Sequence, residues 1–95
     1  MDGVQIFVEN SQSGARPTNK VPVNGRSQTF AAMFGDGIKG TSIGVNGQAP
    51  SNVKIMFGPP NGQSQQLNNN GNPSKVGNNG QPVDISQWTI GAQQA

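Results

Sequence analysis

The longest stretch of the chain without glycine or proline is Val4-Gln5-Ile6-Phe7-Val8-Glu9-Asn10-Ser11-Gln12-Ser13. Apolar side chains occupy every second position of its first half, at Val4, Ile6 and Val8, which is the pattern of a strand with one buried face. Helices average about 11 to 12 residues and lose roughly 1 kcal/mol for an internal glycine and 3 for a proline. Everywhere else in the chain, glycine or proline recurs within fewer than ten residues. We therefore expect strands and no sizeable helix.

The same alternation recurs along the chain. It predicts two further strands, one around Phe30, Ala32 and Phe34 and one around Val53, Ile55 and Phe57. Shorter candidates are Val21 with Val23, Ile43 with Val45, and Val83 with Ile85. After Ile85 the apolar positions change parity, at Trp88 and Ile90. Either a bulge near Ser86 or Gln87 returns them to one face, or the sheet has two partly covered faces there.

Five Asn-Gly dipeptides provide the turn signals, with Asn at positions 24, 46, 61, 70 and 79. Asn-Gly tolerates the positive φ that tight hairpins need, so the two that follow Val23 and Val45 predict hairpins. The fold class that follows is all-β: a small antiparallel β-sandwich or flattened barrel of six to seven short strands.

Residues 1–95 are expected to form a single β domain that carries a loop or arm, rich in Asn, Gln, Gly and Pro, at residues 58–82. Leu67 and Val76 are the only large apolar side chains of this segment. Loops of such length in small domains are either functional or disordered. We expect an ordered arm, because Asn and Gln side chains can pair with the backbone and with each other across an interface.

The composition excludes several kinds of chemistry. The chain has no Cys, His or Tyr, so disulfides, thiolate or imidazole metal sites and His- or Cys-activated nucleophiles are excluded. Its four acidic residues are too scattered for a catalytic carboxylate pair or a calcium site. Six scattered basic residues and a net charge of +2 make nucleic-acid binding unexpected. We expect no enzyme activity and no cofactor.

One glycine pattern, at residues 35–40, resembles a dinucleotide-binding loop, but strand and turn sequence follows it where that loop needs a helix. We interpret it as a connection whose Asp36 and Lys39 are candidates for a polar ligand contact. Trp88 is either the central packing residue of the core or, beside Gln87, a sugar-binding residue. Both remain ligand-contact candidates.

The candidate interface residues come from two features. Side chains that alternate out of phase with the core would form an exposed apolar patch, and such patches mark protein interfaces. The centre of the amide-rich segment supplies the rest. The seven candidates are Phe7, Met33, Met56, Leu67, Asn68, Asn69 and Asn70.

Apolar residues make up only 31% of the chain, so the core is thin and contacts with other subunits are expected to add stability. The first hypothesis is a non-catalytic subunit of a homo-oligomer or larger assembly, such as a virion decoration protein, a minor capsid protein or a filament subunit. The second is a calcium-independent carbohydrate-binding module, and a third is an inhibitor or adaptor that presents residues 58–82. We expect no membrane association and no signal peptide. The expected location is a virion or other extracellular assembly, with the cytoplasm as the alternative.

Overall fold

A computed structural model describes residues 3–77 and 80–95 of the chain, so Met1, Asp2 and the Asn79 turn position lie outside the described residues. The fold is all-β, with 46% strand and 5% helix. The elements are β1 (Gly3–Glu9), β2 (Thr18–Pro22), β3 (Ser27–Thr29), α1 (Phe30–Phe34), β4 (Lys39–Gly40), β5 (Ser42–Val45), β6 (Val53–Gly58), β7 (Gln65–Gln66), β8 (Ser74–Lys75), β9 (Val83–Asp84) and β10 (Thr89–Gln94).

Two four-stranded antiparallel sheets form the sandwich. Sheet 1 has the order β2-β1-β5-β8, and sheet 2 has the order β3-β10-β6-β7. In sheet 1, Val8 pairs with Ile43 and Val4 with Val21, so the alternating apolar side chains share one face. A third, two-stranded sheet pairs β4 with β9 at one end.

The inner faces of sheets 1 and 2 enclose the core. In sheet 2, Ile55 pairs with Ala92 and Phe57 with Ile90. The buried apolar side chains of the described residues are Val4, Ile6, Phe7, Val8, Val21, Phe30, Ile43, Val45, Ala49, Val53, Ile55, Phe57, Leu67, Ile85, Ile90 and Ala92. The sheets do not close into a barrel, so the sandwich form of the predicted fold is the correct one.

The chain is as compact as an ordinary folded monomer of its size. Its accessible surface is 5268 Å², against about 5,200 Å² expected for a folded monomer of this mass. Its radius of gyration is 12.1 Å, against about 12.4 Å expected for this length. A partner would therefore bind to a sandwich that is already compact on its own.

The strand predicted around Phe30 and Phe34 is wrong, because these residues form α1. The Ala32 N–H donates to Thr29 Oγ1 at 3.1 Å, which caps the helix start. Gly35, at φ 104°, follows the helix end. Residues four apart lie on one side of a helix as well as of a strand, so the aromatic spacing fitted both structures. The two rings stack with centroids 6.0 Å apart.

The hairpins predicted at Asn24-Gly25 and Asn46-Gly47 are also wrong. Gly25 and Gly47 do adopt positive φ, at 77° and 100°. However, the first turn joins β2 of sheet 1 to β3 of sheet 2, and the second joins β5 of sheet 1 to β6 of sheet 2. Asn-Gly fixes a local reversal of the backbone and does not decide which strands pair.

The change of parity after Ile85 comes from a tight turn, which is neither of the two predicted explanations. The Trp88 N–H donates to the Ile85 carbonyl at 2.9 Å. The turn ends β9 of the small sheet and begins β10 of sheet 2. Ile85 and Ile90 are therefore both buried, although they belong to different sheets.

Replacing a core residue tests the assignment of β6. Ile55 is 0% exposed, so Ile55→Ala should lower the free energy of unfolding by about 2 to 5 kcal/mol, because it leaves a cavity. Urea denaturation measures the change. Gln5→Ala on the exposed side of β1 is the control and should change it by less than about 0.5 kcal/mol. Equal effects of the two substitutions would show that Ile55 does not face the core.

Candidate functional site

Residues 59–76, which we call the strap, cross one side of the sandwich from sheet 2 to sheet 1. Near its start, β7 pairs with β6, with Gln65 opposite Phe57. Near its end, β8 pairs with β5, with Ser74 opposite Ile43. The Val76 N–H donates to the Thr41 carbonyl at 2.9 Å. The strap thus covers the outer edges of β6 and β5.

Leu67 fixes the first half of the strap. Its side chain is 0% exposed and belongs to the core cluster, and its N–H donates to the Ile55 carbonyl at 2.8 Å. Burying one leucine contributes about 1.5 to 3 kcal/mol. The prediction that Leu67 contacts a partner is wrong, because none of its side chain reaches the surface.

Asn69 fixes the middle of the strap. Its Nδ2 donates to the carbonyls of Pro50 at 2.5 Å and Val53 at 2.8 Å. Its own carbonyl accepts from the Ala49 N–H at 2.8 Å. Asn69 was predicted as a contact residue, but its amide is already used inside the molecule. The expectation that an amide would pair with backbone is confirmed at this residue.

The strap presents a row of polar, uncharged side chains to solvent. Residues 55–74 contain no charged residue. The exposed amides of the strap are Asn61, Gln63, Gln65, Gln66, Asn68, Asn70 and Asn72. Asn68 and Asn70 were among the predicted contact residues. The glutamines were not, although they lie in the same amide-rich stretch of the sequence.

Phe7 lies on the outer face of sheet 1, but the prediction that it is exposed is wrong. It is 3% exposed, because the Arg16 guanidinium lies 4.0 Å from its ring centroid, a cation–π contact. Gly44, opposite Phe7 on β5, leaves room for the ring. A Cβ at position 44 would lie 2.5 Å from Phe7 Cζ. Nothing in the sequence indicates that Arg16 covers Phe7.

The two candidate methionines, Met33 and Met56, lie on different elements and are half-buried. Met33, on α1, packs against the core, and its carbonyl accepts from Asn19 Nδ2 at 2.6 Å. Met56 lies on the outer face of sheet 2, where Gly91 on β10 is its pairing partner. Because Gly91 has no side chain, a groove of about 150 Å³ forms beside Met56. The methionines therefore do not join Phe7 in one patch.

The two segments that carry the ligand-contact candidates lie beside each other, and the Ile85 N–H donates to the Ile38 carbonyl at 3.0 Å. The Ala31 and Phe30 N–H groups donate to the carbonyls of Ser86 and Trp88 at 2.9 Å. This brings the segment with Asp36 and Lys39 against the segment with Gln87 and Trp88. Asp36, Lys39 and Gln87 are exposed, and Trp88 is half-buried.

Trp88 has the predicted packing role, and its role in sugar binding stays a prediction. It packs against the core cluster and stacks on Phe57, with ring centroids 6.5 Å apart. Part of its surface remains open to solvent beside Gln87. Lys39 pairs with Asp84 across the small sheet, so its nearest charged neighbour in that sheet is Asp84.

A polar cavity of about 400 Å³ lies at the start of β5, beside Thr41 and Ser42. Glu9, Ser42 and Lys75 form one cross-strand row along its wall. The Thr41 hydroxyl donates to the Glu9 carbonyl at 3.1 Å and accepts from the Ser11 N–H at 3.2 Å. Thr41 therefore holds the backbone of the cavity wall together.

Among residues 3–77 and 80–95, no group of three or more carboxylate, imidazole or thiol side chains could hold a metal ion. Within the same residues, no helix is long and apolar enough to cross a bilayer.

The comparisons with known proteins give no assignment. No protein-family model matches the chain, and no curated protein or solved structure matches it either.

The two neighbouring asparagines of the strap allow a matched test of its attachment. Asn69→Asp places a carboxylate against two backbone carbonyls, so it should lower the free energy of unfolding by about 1 to 3 kcal/mol. Asn68→Asp adds the same charge at an exposed position and should change it by less than about 0.5 kcal/mol. Urea denaturation of both variants measures the difference. Equal stabilities would show that the Asn69 hydrogen bonds do not hold the strap.

The Asp84 carboxylate gives a prediction on pH. The Ser86 hydroxyl donates to Asp84 Oδ1 at 2.6 Å and the Ser86 N–H donates at 3.0 Å. These bonds, and then the charge of Lys39, lower the pKa of Asp84 below its ordinary 3.8. The ionised carboxylate therefore stabilises the fold above pH 3.8, and this contribution is lost as the pH falls through the lowered pKa.

Ser86→Ala removes the first of these bonds and keeps the backbone donor. The pKa of Asp84 should then rise part of the way to its ordinary value, as followed by an NMR titration of the carboxyl carbon. The stability difference between the variant and the natural chain should shrink as the pH falls through that range. An unchanged pKa in the variant would mean that the hydroxyl does not stabilise the carboxylate.

Proposed function

We propose that this protein is a non-catalytic interaction protein that acts as a subunit of a homo-oligomer or larger assembly, such as a virion decoration protein, a minor capsid protein or a filament subunit. The observation that carries the proposal is the strap: seven exposed, uncharged amides on a segment that is fastened to both sheets.

The attachment of the strap lowers the entropy that a partner must remove. Binding a flexible segment costs roughly 0.5 to 1.5 kcal/mol for each side chain that becomes immobile, in addition to the ordering of the backbone. Here Leu67 and Asn69 already hold the backbone. A partner therefore has to order only the outward-facing side chains.

The chemistry of the strap suits burial against another polypeptide. Charged groups are depleted from the centres of interfaces, because their loss of hydration is expensive unless they are paired. Residues 55–74 contain no charge. Each Asn or Gln offers two donors and one acceptor group, so it can pair with a backbone or with a second amide.

The edges of the sheets favour contact through side chains over contact through added strands. In the edge strand β2, the Lys20 N–H donates to Asn19 Oδ1 at 2.7 Å. The other outer strands, β3, β7 and β8, have only two or three residues. Pro73 stands immediately before β8. Short, proline-flanked edges are poor templates for strand addition.

Charges on the strap test the proposal. Asn68→Asp and Gln66→Glu place a carboxylate in the contact surface and should weaken self-association by tenfold or more, roughly the effect of one unpaired interfacial charge. Gln5→Glu, at an exposed position of β1 outside the strap, adds the same charge and should leave association unchanged. Light scattering over a concentration series measures the self-association of the natural chain and of each variant. A natural chain that stays monomeric at every concentration would refute the homo-oligomer.

A second function, calcium-independent carbohydrate binding, is favoured by one specific observation. Trp88 is half-buried and backed by Phe57, which leaves part of a rigid ring beside the exposed amide of Gln87. Apolar ring faces and amide groups together suit hydroxyl-rich ligands. A monomer that binds a glycan array in the presence of a calcium chelator, and loses binding in Gln87→Ala, would favour this function over assembly.

A further inference from the structure

The two Val-Asn-Gly sequences of the chain are chemically equal and structurally different. They are Val23-Asn24-Gly25 and Val45-Asn46-Gly47. Asn-Gly is the sequence in which asparagine loses its side-chain amide nitrogen most readily, because the glycine has no side chain to hinder its own peptide nitrogen. Any difference in reactivity between the two must therefore come from the fold.

The fold holds the first of these sequences by two hydrogen bonds. The Gly25 N–H donates to the Ala92 carbonyl at 2.8 Å. Asn24 Oδ1 accepts from the Arg26 N–H at 2.9 Å. The Gly25 nitrogen, which would have to attack the Asn24 side chain, already donates its hydrogen bond to Ala92. The Asn24 side chain already accepts a hydrogen bond from Arg26. Both bonds must break before the two groups can react.

The second sequence has neither of these bonds. Asn46 and Gly47 are exposed. Neither the Asn46 side chain nor the Gly47 N–H has a hydrogen-bond partner among residues 3–77 and 80–95. A Cβ built on Gly47 would meet no atom within 4 Å, so no neighbouring group crowds the Cα of Gly47 on that side.

The other Asn-Gly turns of the described chain are intermediate. The Gly62 N–H donates to the Pro59 carbonyl at 3.3 Å. Asn70 Oδ1 accepts from the Asn72 N–H at 3.1 Å, and Gly71 is crowded, since a Cβ there would lie 2.8 Å from the Gly47 carbonyl oxygen. Each of these turns has one of the two kinds of hydrogen bond that hold the Asn24 turn.

We propose that Asn46 is a site of spontaneous deamidation. The Gly47 nitrogen displaces the side-chain amide nitrogen to form a cyclic imide, and hydrolysis of the imide gives an aspartyl or isoaspartyl residue. The Gly47 nitrogen loses its proton and bonds to Asn46 Cγ, the bond from Cγ to Nδ2 breaks, and ammonia leaves. The product is a five-membered imide, and no oxidant or reductant takes part.

Water opens the imide in one of two ways. Cleavage of the bond between the Gly47 nitrogen and Cγ gives aspartate in the ordinary main chain. Cleavage of the bond between that nitrogen and the Asn46 carbonyl carbon gives isoaspartate, in which the main chain runs through Cγ. Either product adds one negative charge to the net charge of +2. Isoaspartate also lengthens the corner between β5 and β6, which the strap contacts at Gly71.

Peptide mapping of the full chain tests this site. Trypsin cuts after Lys20, Arg26, Lys39 and Lys54, so residues 21–26 carry Asn24 and residues 40–54 carry Asn46. The folded chain is held at mildly alkaline pH, where the attacking nitrogen loses its proton more readily. Samples are then digested briefly and analysed by mass spectrometry, with fragment spectra to identify the converted residue.

In the folded chain, Asn46 should convert on the order of tenfold faster than Asn24, because the hydrogen bonds of the Asn24 turn must open first. In the chain unfolded by urea, the two should convert at similar rates. Asn46→Gln should remove the early conversion, because the longer side chain does not form the five-membered ring. Equal rates in the folded chain, or early conversion at Asn24 or Asn52, would overturn the proposal.

Discussion

The burial of Leu67 is the contact that makes residues 59–76 part of the sandwich. In a stretch made mostly of amides, glycine and proline, Val76 packs partly buried against the core, and the Leu67 side chain is fully buried in it. The Leu67 N–H pairs with Ile55, in the middle of β6. Once it is fixed, Gln65 and Gln66 fall into register with β6. Two residues later, Asn69 reaches the carbonyls that follow the Asn46-Gly47 corner.

The strap also solves a problem that the rest of the sequence creates. A sandwich with so few apolar residues has short strands, and the outer edges of β5 and β6 would otherwise expose unpaired backbone groups. The strap supplies partners for both edges from its own backbone. Among the described residues, no buried side-chain nitrogen or oxygen lacks a hydrogen-bond partner. The polar segment therefore completes the fold and at the same time forms much of its surface.

The sequence predicted the parts of the fold that depend on alternation. β1, β5 and β6 follow from apolar side chains at every second position, because alternate side chains of a strand point to the same face and in these strands that face lies in the core. The α1 segment could not be distinguished from a strand, since Phe30 and Phe34 lie on one side in both structures. The Asn-Gly corners could not be placed either, because the choice of partner strand depends on contacts distant in sequence. Amide-rich composition indicated the strap, but not which of its amides turn inward.

One residue type takes three different roles within a small region, and the backbone decides which. Asn69 lies where two carbonyls of the preceding corner point at it, so its amide is consumed within the fold. Asn68, its neighbour, points to solvent and keeps its donors and acceptor. Asn46 stands at an open corner beside an unrestrained glycine nitrogen. The same side chain is thus an anchor at Asn69, a proposed contact group at Asn68 and a proposed deamidation site at Asn46, according to the hydrogen bonds that its surroundings offer. The rate at which each asparagine of such a surface deamidates is therefore expected to depend on the fold as well as on the sequence.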